Sequence, residues 1–176
     1  RLARLPIDAG RLERRGEGDA SEMRRDLVRL SEDVHALSYR LHPSVLDDLG
    51  LVEALRAECD RVSRDGQLQV EVNALEVPDT VSNDASLCLF RVAQEALNNA
   101  VRHGRARAVT VLLSARGRGL QLAISDNGSG FDVTRPPGHP SLGLASMRER
   151  VRLLRGHLDI ESTLGRGTTV VAWVPA

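Results

Sequence analysis

Apolar residues near the start of the chain recur in a heptad pattern. The spacing alternates between four and three positions, at Met23, Leu27, Leu30, Val34, Leu37 and Leu41. Such a narrow stripe is typical of a coiled coil or a four-helix bundle, and it predicts a helix over 20–42. Since one helix cannot bury this stripe alone, we expect a helical partner within 1–18 and a homodimer formed through helix 20–42. The first predicted domain is therefore a helical region over 1–46.

The remainder of the chain, 47–176, mixes helical and strand patterns. Helices are predicted over 51–62, 80–103 and 144–154, and strands over 68–73, 108–114, 120–125, 158–162 and 168–174. Residues 126–142 are rich in Gly and Pro and are predicted to be irregular. This order of elements predicts an α+β fold, a two-layer α/β sandwich with an antiparallel-rich sheet. It does not have the strict βαβ alternation of a dinucleotide-binding fold.

Composition narrows the function classes. Of the 176 residues, 41% are apolar and 27% charged, as in globular proteins, and 24 basic residues balance 24 acidic ones. This balance argues against direct nucleic-acid binding. Cys59 and Cys88 stand apart from any Cys/His cluster, which excludes a structural zinc site and is typical of the reducing cytoplasm. No apolar run approaches the ~20 residues of a membrane span, so we expect a cytoplasmic chain without a membrane segment. The sequence begins at Arg1, and it leaves open whether a longer parent protein carries a membrane anchor.

Helix 80–103 carries a line of polar side chains. Glu95, Asn99 and His103 are spaced at i, i+4 and i+8, which places them on one face of an α-helix, with Arg102 beside them. Oxygen donors from Glu95 and Asn99 suit a hard cation such as Mg²⁺, and Arg102 and His103 suit a phosphate. The alternative interpretation is an ordinary solvated helix face.

Three glycine-containing loops are candidates for ligand contact. Asp126 follows a strand and can accept a hydrogen bond from an amine, while Gly128 and Gly130 allow a close backbone approach. Gly143 lies where the last helix begins, and free N–H groups at a helix start bind phosphate. In 163–170 a glycine turn places Thr168 at the start of the last strand. Taken singly, each loop is equally compatible with a plain turn, a capped helix start or a hairpin.

The order and spacing of these motifs resemble one protein family. ExxxN at 95–99, DNGSG at 126–130, a Gly-rich loop that opens a helix, and GRGTT at 165–169 resemble the GHKL ATPase superfamily over residues 68–176. Within it, the segment RLHPSVLDDLGLVEAL at 40–55 resembles sensor histidine kinases that pair with NarL/LuxR-type response regulators. The resemblance implies an ATP-binding sandwich with a mixed sheet (the Bergerat fold) over 47–176, preceded by part of a dimerisation four-helix bundle over 1–46.

The resemblance also implies roles for individual residues. It assigns Asn99 to Mg²⁺, Glu95 to the metal or its water, and Asp126 to the adenine amine. The remaining positions would contact the nucleotide: Arg102, His103, Gly128, Gly130, Leu142, Gly143, Leu144 and Thr168. Residues 131–142 correspond to a mobile lid over the ATP.

One element of the kinase family is missing from the sequence. The phosphoacceptor histidine of these kinases lies in a motif resembling ELHD, which does not occur here, and neither His35 nor His42 is followed by an acidic residue. The acceptor is therefore expected upstream of Arg1. The resemblance implies transfer of the γ-phosphoryl group of ATP to that histidine and then to a response-regulator aspartate, with this chain alone not autophosphorylating. The alternatives are a non-catalytic ATP-responsive binding module and a serine kinase of the anti-sigma type.

Overall fold

A five-stranded sheet forms one layer of the structure. The computed structural model of the chain describes residues 44–66, 68–78, 80–133 and 142–176. Predicted helix 20–42 lies outside the described residues, so its heptad stripe and dimer stay predictions. From Val45 to Ala176 the chain forms a compact unit. The strands are β1 Gln69–Leu75, β2 Ala108–Arg116, β3 Gly119–Asp126, β4 His157–Thr163 and β5 Gly167–Pro175.

The sheet is mixed, as the sequence analysis expected. Its strand order is β1-β2-β3-β5-β4, with β1 parallel to β2 and the other neighbours antiparallel. All five predicted strands are present. The short turn between β2 and β3 has a positive φ of 63° at Gly117, the first of its two central residues. A type II′ turn requires this conformation there, and its twist matches that of the flanking strands.

Alternation along the strands gives the sheet one buried and one open face. The buried face holds Leu120, Leu122 and Ile124 of β3 and Val170, Ala172 and Val174 of β5. The helices Asn83–Asn99 and Leu142–Leu153 pack against this side of the sheet. Because side chains alternate with a period of two, Asp126 and Thr168 continue the helix-covered face to the end of β3 and the start of β5.

Among the described residues, three α-helices accompany the sheet: α1 Ser44–Gly66, α2 Asn83–Asn99 and α3 Leu142–Leu153. The first begins before the predicted start at 51, but Gly50 breaks it with φ 77° and ψ 174°. Ser82 caps α2, and its hydroxyl accepts from the Ala85 N–H at 3.4 Å. Along the described stretches, no helix combines the length and the apolar character that crossing a membrane requires.

The second helix ends in a π-helical segment, Ala100–Gly104. Arg105 takes a left-handed conformation, and its N–H and that of Ala106 both donate to the Ala100 carbonyl. The sequence prediction of one α-helix over 80–103 is therefore wrong for the last turn. A π-helical turn spans slightly more residues than an α-helical one, so His103 still lies about one turn beyond Asn99. That His103 shares the face of Glu95 and Asn99 stays a prediction.

Candidate functional site

The carboxylate of Asp126 lies half-buried at the end of β3. Its Oδ1 atom accepts from the Gly128 N–H at 2.7 Å, which closes a tight turn. None of the described residues donates a hydrogen bond to Oδ2. One oxygen therefore holds the loop, and the other is available to accept from a ligand.

The loop after β3 is fixed to the end of α2 and its π-helical segment. The Ser129 N–H donates to the Gly104 carbonyl at 2.7 Å, and the Ser129 hydroxyl donates to the His103 carbonyl at 3.3 Å. On the other side, Asn127 Oδ1 accepts the N–H groups of Arg107 and Ala108, both at 2.9 Å. The helix end and the strand end are thus joined into one surface.

Gly128 is required by close packing at this junction. A Cβ atom there would stand 2.5 Å from the Gly104 carbonyl oxygen and 2.8 Å from Asp126 Oδ1. The first neighbour is backbone and has no rotamer through which to move away. Gly128 therefore lets the loop lie directly against the π-helical segment.

Asp126, Thr168 and Ser162 lie side by side across three strands. Asp126 is the register partner of Thr168 on β5, and Thr168 is the partner of Ser162 on β4. Directly opposed residues on one face have Cβ atoms about 4.5–5.5 Å apart. Ser162 Oγ stands 2.9 Å from Thr168 Oγ1, accepts from the Phe131 N–H at 2.9 Å and donates to the Gly167 carbonyl at 3.0 Å.

Glu95 and Asn99 occupy successive turns of α2, and both side chains are half-buried. The start of α3 rests against the first of them, since a Cβ atom at Gly143 would overlap the Glu95 carboxylate. The first N–H groups of a helix lack partners within it, so this end of α3 presents donors next to a carboxylate. The structure thereby brings Gly143 to Glu95, two residues that are far apart in the sequence.

Of the other predicted site residues, His103 joins these contacts through its backbone carbonyl and Gly130 through close packing against the carbonyl groups of Thr163 and Gly167. Arg102 and His103 have exposed side chains, and Leu142 is 87% exposed. Leu144 is half-buried on α3, and Gly130 follows the loop at φ 57°. The predicted lid, 131–142, falls largely on residues outside the described part of the chain.

Sequence reasoning missed three residues that build the site. The Asn127 side chain accepts a hydrogen bond from the backbone just before β2, and the Gly104 carbonyl accepts one from the loop after β3. Ser162 binds both Thr168 and the Phe131 N–H. A signal existed for Gly104, since Gly after a helical run is a common helix-end residue. For Ser162 the only signal was the predicted hairpin, which brings Thr168 opposite it, whereas the Phe131 N–H comes from a loop that only the fold brings to it.

Comparison of the sequence with known proteins identifies a family of ATPases. Residues 84–176 match the model of the family described as histidine kinase-, DNA gyrase B- and HSP90-like ATPase. The chain is 39% identical to the sensor histidine kinase MctS of Rhizobium johnstonii over 82% of its length, covering 32% of that protein. It is 35% identical to the oxygen sensor histidine kinase NreB of Staphylococcus carnosus over 85% of its length, covering 43% of that protein.

A solved structure shows the same fold. The histidine kinase domain of the Erythrobacter litoralis EL346 blue-light-activated histidine kinase superposes with a TM-score of 0.57 at 23% identity, covering 71% of this chain and 64% of that one. The fold and the family match define the class of protein, an α+β ATPase-type domain. The chain belongs to the histidine kinase-, DNA gyrase B- and HSP90-like ATPase family, as the motifs indicated, and its curated relatives are sensor histidine kinases. It spans 32% and 43% of the length of those two relatives.

Proposed function

We propose that this chain is the ATP-binding catalytic region of a sensor histidine kinase. It moves the γ-phosphoryl group of ATP to a histidine upstream of Arg1, from which the group passes to a response-regulator aspartate. The observation that carries the proposal is the Asp126 carboxylate, with one oxygen fixed to Gly128 and the other available, within a domain of this ATPase family. An available carboxylate oxygen accepts from the exocyclic amine of adenine.

Glu95 and Asn99 fit the Mg²⁺ that accompanies ATP. Both offer oxygen atoms, and Mg²⁺ in phosphate-transfer sites takes one or two protein ligands and completes its shell with water and phosphate. Across the described ranges, no group of three or more His, Cys, Asp or Glu side chains forms a self-sufficient metal site. When bound, the ion neutralises charge on the phosphates. Asn99 would hold the ion directly, and Glu95 would hold it or orient its water.

The phosphate end of the nucleotide would lie toward the start of α3. Backbone N–H groups are offered there by Gly143 and its neighbours Leu142 and Leu144, and the positive end of the helix dipole favours an anion. Arg102 and His103 supply exposed side chains from the π-helical segment. The adenine end lies at Asp126, with Gly128 and Gly130 beneath it and Thr168 beside it.

The partners follow from the same proposal. A homodimer forms through helix 20–42 of the domain 1–46, and the receiver domain of a NarL/LuxR-type response regulator accepts the phosphoryl group. The segment at 40–55 supports this subtype. Neither nucleic acid nor membrane is a direct partner of this chain, and a cytoplasmic location fits its lack of disulfide chemistry. The absence of an ELHD-like motif within 1–176 also favours a second candidate, an ATP-responsive binding module without turnover.

The test is nucleotide binding and phosphoryl transfer by Asp126→Asn. Asparagine keeps an oxygen for the Gly128 N–H but replaces the available oxygen by an NH₂ donor, so the loop stays while the adenine contact turns repulsive. A hydrogen bond to a charged group contributes about 1.5–3 kcal/mol, so the Kd for ATP should rise about 10- to 100-fold. Asp159→Asn, an exposed carboxylate on β4, is the matched control.

Labelling with γ-labelled ATP and Mg²⁺ separates the candidates. A longer chain with the residues before Arg1 should become labelled, with an acid-labile phosphate, and Asp126→Asn should abolish the label. ATP binding without label in either length supports the binding module. Equal ATP affinity of Asp126→Asn and wild type would overturn the assignment of the adenine contact.

A further inference from the structure

We propose that Ser162 is a positioning residue that makes the Thr168 hydroxyl a pure hydrogen-bond acceptor toward the base. The site would thereby discriminate 6-amino purines from 6-oxo purines. This inference rests on the proposed function, because it assigns a specificity device to the same nucleotide site. Ser162 acts through Thr168 and does not itself touch the base.

Three neighbours fix the direction of every hydrogen bond at Ser162. A hydroxyl has one proton to donate and two lone pairs to accept with. The Phe131 N–H at 2.9 Å can only donate, and the Gly167 carbonyl at 3.0 Å can only accept. Ser162 therefore gives its single proton to Gly167, and one of its lone pairs accepts from Phe131.

The remaining lone pair of Ser162 faces Thr168. The two hydroxyl oxygens lie 2.9 Å apart, a hydrogen-bond distance that requires one proton between them. Since the proton of Ser162 is committed, Thr168 must donate. The opposite arrangement would leave the Ser162 and Gly167 oxygens facing each other at 3.0 Å without a proton between them, which is electrostatically unfavourable.

Because Thr168 donates its proton to Ser162, its hydroxyl can offer no donor to a ligand. Only its lone pairs remain, and Asp126, its register partner on β3, offers a second acceptor in Oδ2. An exocyclic amine brings two N–H donors to such a pair of acceptors. A 6-oxo group brings another acceptor and is rejected. The Thr168 hydroxyl cannot rotate to donate to it, because its proton is already donated to Ser162.

Ser162→Ala tests this logic directly. Alanine releases the Thr168 proton, which can then rotate to donate to a 6-oxo group. We would measure the Kd values of ATP and inosine triphosphate by calorimetry, with Mg²⁺, for wild type and variants. The ratio Kd(ITP)/Kd(ATP) should fall about two- to tenfold in Ser162→Ala, the effect of one neutral hydrogen bond. Ser162→Thr retains the hydroxyl and should restore the wild-type ratio.

A matched control pair, Ser125 and Thr169, lies next to Asp126 and Thr168 in the sequence but on the open face of the sheet. Ser125 forms the same kind of cross-strand pair, with Thr169 at 2.8 Å, but its hydroxyl is exposed and bonds to none of the loop residues that the structure describes. Ser125→Ala should leave the ratio unchanged. If Ser162→Ala does not fold, Thr168→Val takes its place, since it removes the acceptor and should also lower the ratio.

The outcomes separate this inference from the proposed function. An unchanged ratio in folded Ser162→Ala, or an equal loss of affinity for both nucleotides, overturns the role of Ser162 while ATP binding stands. An unchanged ratio in Thr168→Val overturns it as well. Wild-type protein that binds neither nucleotide refutes the proposed function first, and the inference falls with it.

Discussion

Gly143→Ala should separate stability from activity more sharply than any other substitution in the site. The added Cβ would overlap the Glu95 carboxylate, and so one of the two side chains assigned to Mg²⁺ would be displaced. The obstacle is the far end of a flexible side chain, not backbone. Glu95 can therefore rotate away, and the fold need not distort.

The expected change in the free energy of unfolding is small. Forcing Glu95 off its rotamer costs about 0.5–1.5 kcal/mol, while Gly→Ala within a helix gains up to about 1 kcal/mol. The two nearly cancel, and Tm should shift by no more than about 4 °C. The rate should fall much further, because a misplacement of about 1 Å in a reacting site can reduce the rate about 100-fold.

The assay is phosphoryl transfer by the longer chain, alongside thermal unfolding of the same samples. Glu95→Gln should reproduce the loss of rate without the added Cβ. Ser146→Ala, one turn further along α3, is the control and should leave the rate unchanged. A wild-type rate in Gly143→Ala would refute the placement of Glu95 in the reaction. A large loss of Tm would instead refute the expectation that Glu95 can rotate away, and Glu95→Gln would then carry the test of its role.

Two further predictions concern the stability of the domain. Gly128→Ala should lower the free energy of unfolding by about 1–3 kcal/mol, because its Cβ would meet the Gly104 carbonyl, and urea unfolding measures this. Burial, with Glu58 and Asp60 nearby, raises the pKa of Cys59 to about 12, and burial raises that of Cys88 to about 11 against the opposing charge of Arg150. Since unfolded thiols ionise near pH 9.0, stability should fall above that pH, by up to about 1.4 kcal/mol per pH unit and thiol until the folded thiols ionise. Cys88→Ala should reduce this slope; an unchanged slope would show that Cys88 does not contribute.

Much of the fold could be predicted from local patterns. The alternation in 120–125 and 168–174 located β3 and β5 because one face of each strand is buried. The parallel pairing of β1 with β2 could not be derived from alternation, since either direction buries the same residues. The family resemblance supplied the mixed sheet instead.

The same distinction between local patterns and long-range contacts holds for the candidate site. Asp126 was a candidate because a carboxylate and two glycines directly follow a strand, but only the family resemblance distinguished it from a plain turn. The π-helical segment did not stand out in the sequence, because its widened turn is stabilised by the Arg105 and Ala106 N–H groups and by the hydrogen bond from the Ser129 N–H to the Gly104 carbonyl. Nor did Ser162, because its partner Phe131 lies on a segment 31 residues away. Contacts between distant segments are invisible to any spacing argument.

The loop after β3 has a consequence for the thermodynamics of ligand binding. It is anchored at Asn127 and Ser129, and the Gly165 N–H donates to the Ser129 carbonyl at 2.7 Å. Fixing a backbone residue costs about 1–2 kcal/mol of conformational entropy, and here that cost falls on folding. A base that docks against this loop meets a surface that needs no ordering, so a greater share of its contact energy appears as affinity. The adenine end of the nucleotide should therefore bind with little change in the order of this backbone. Amide hydrogen-exchange rates at 127–131 should accordingly be the same with and without ligand.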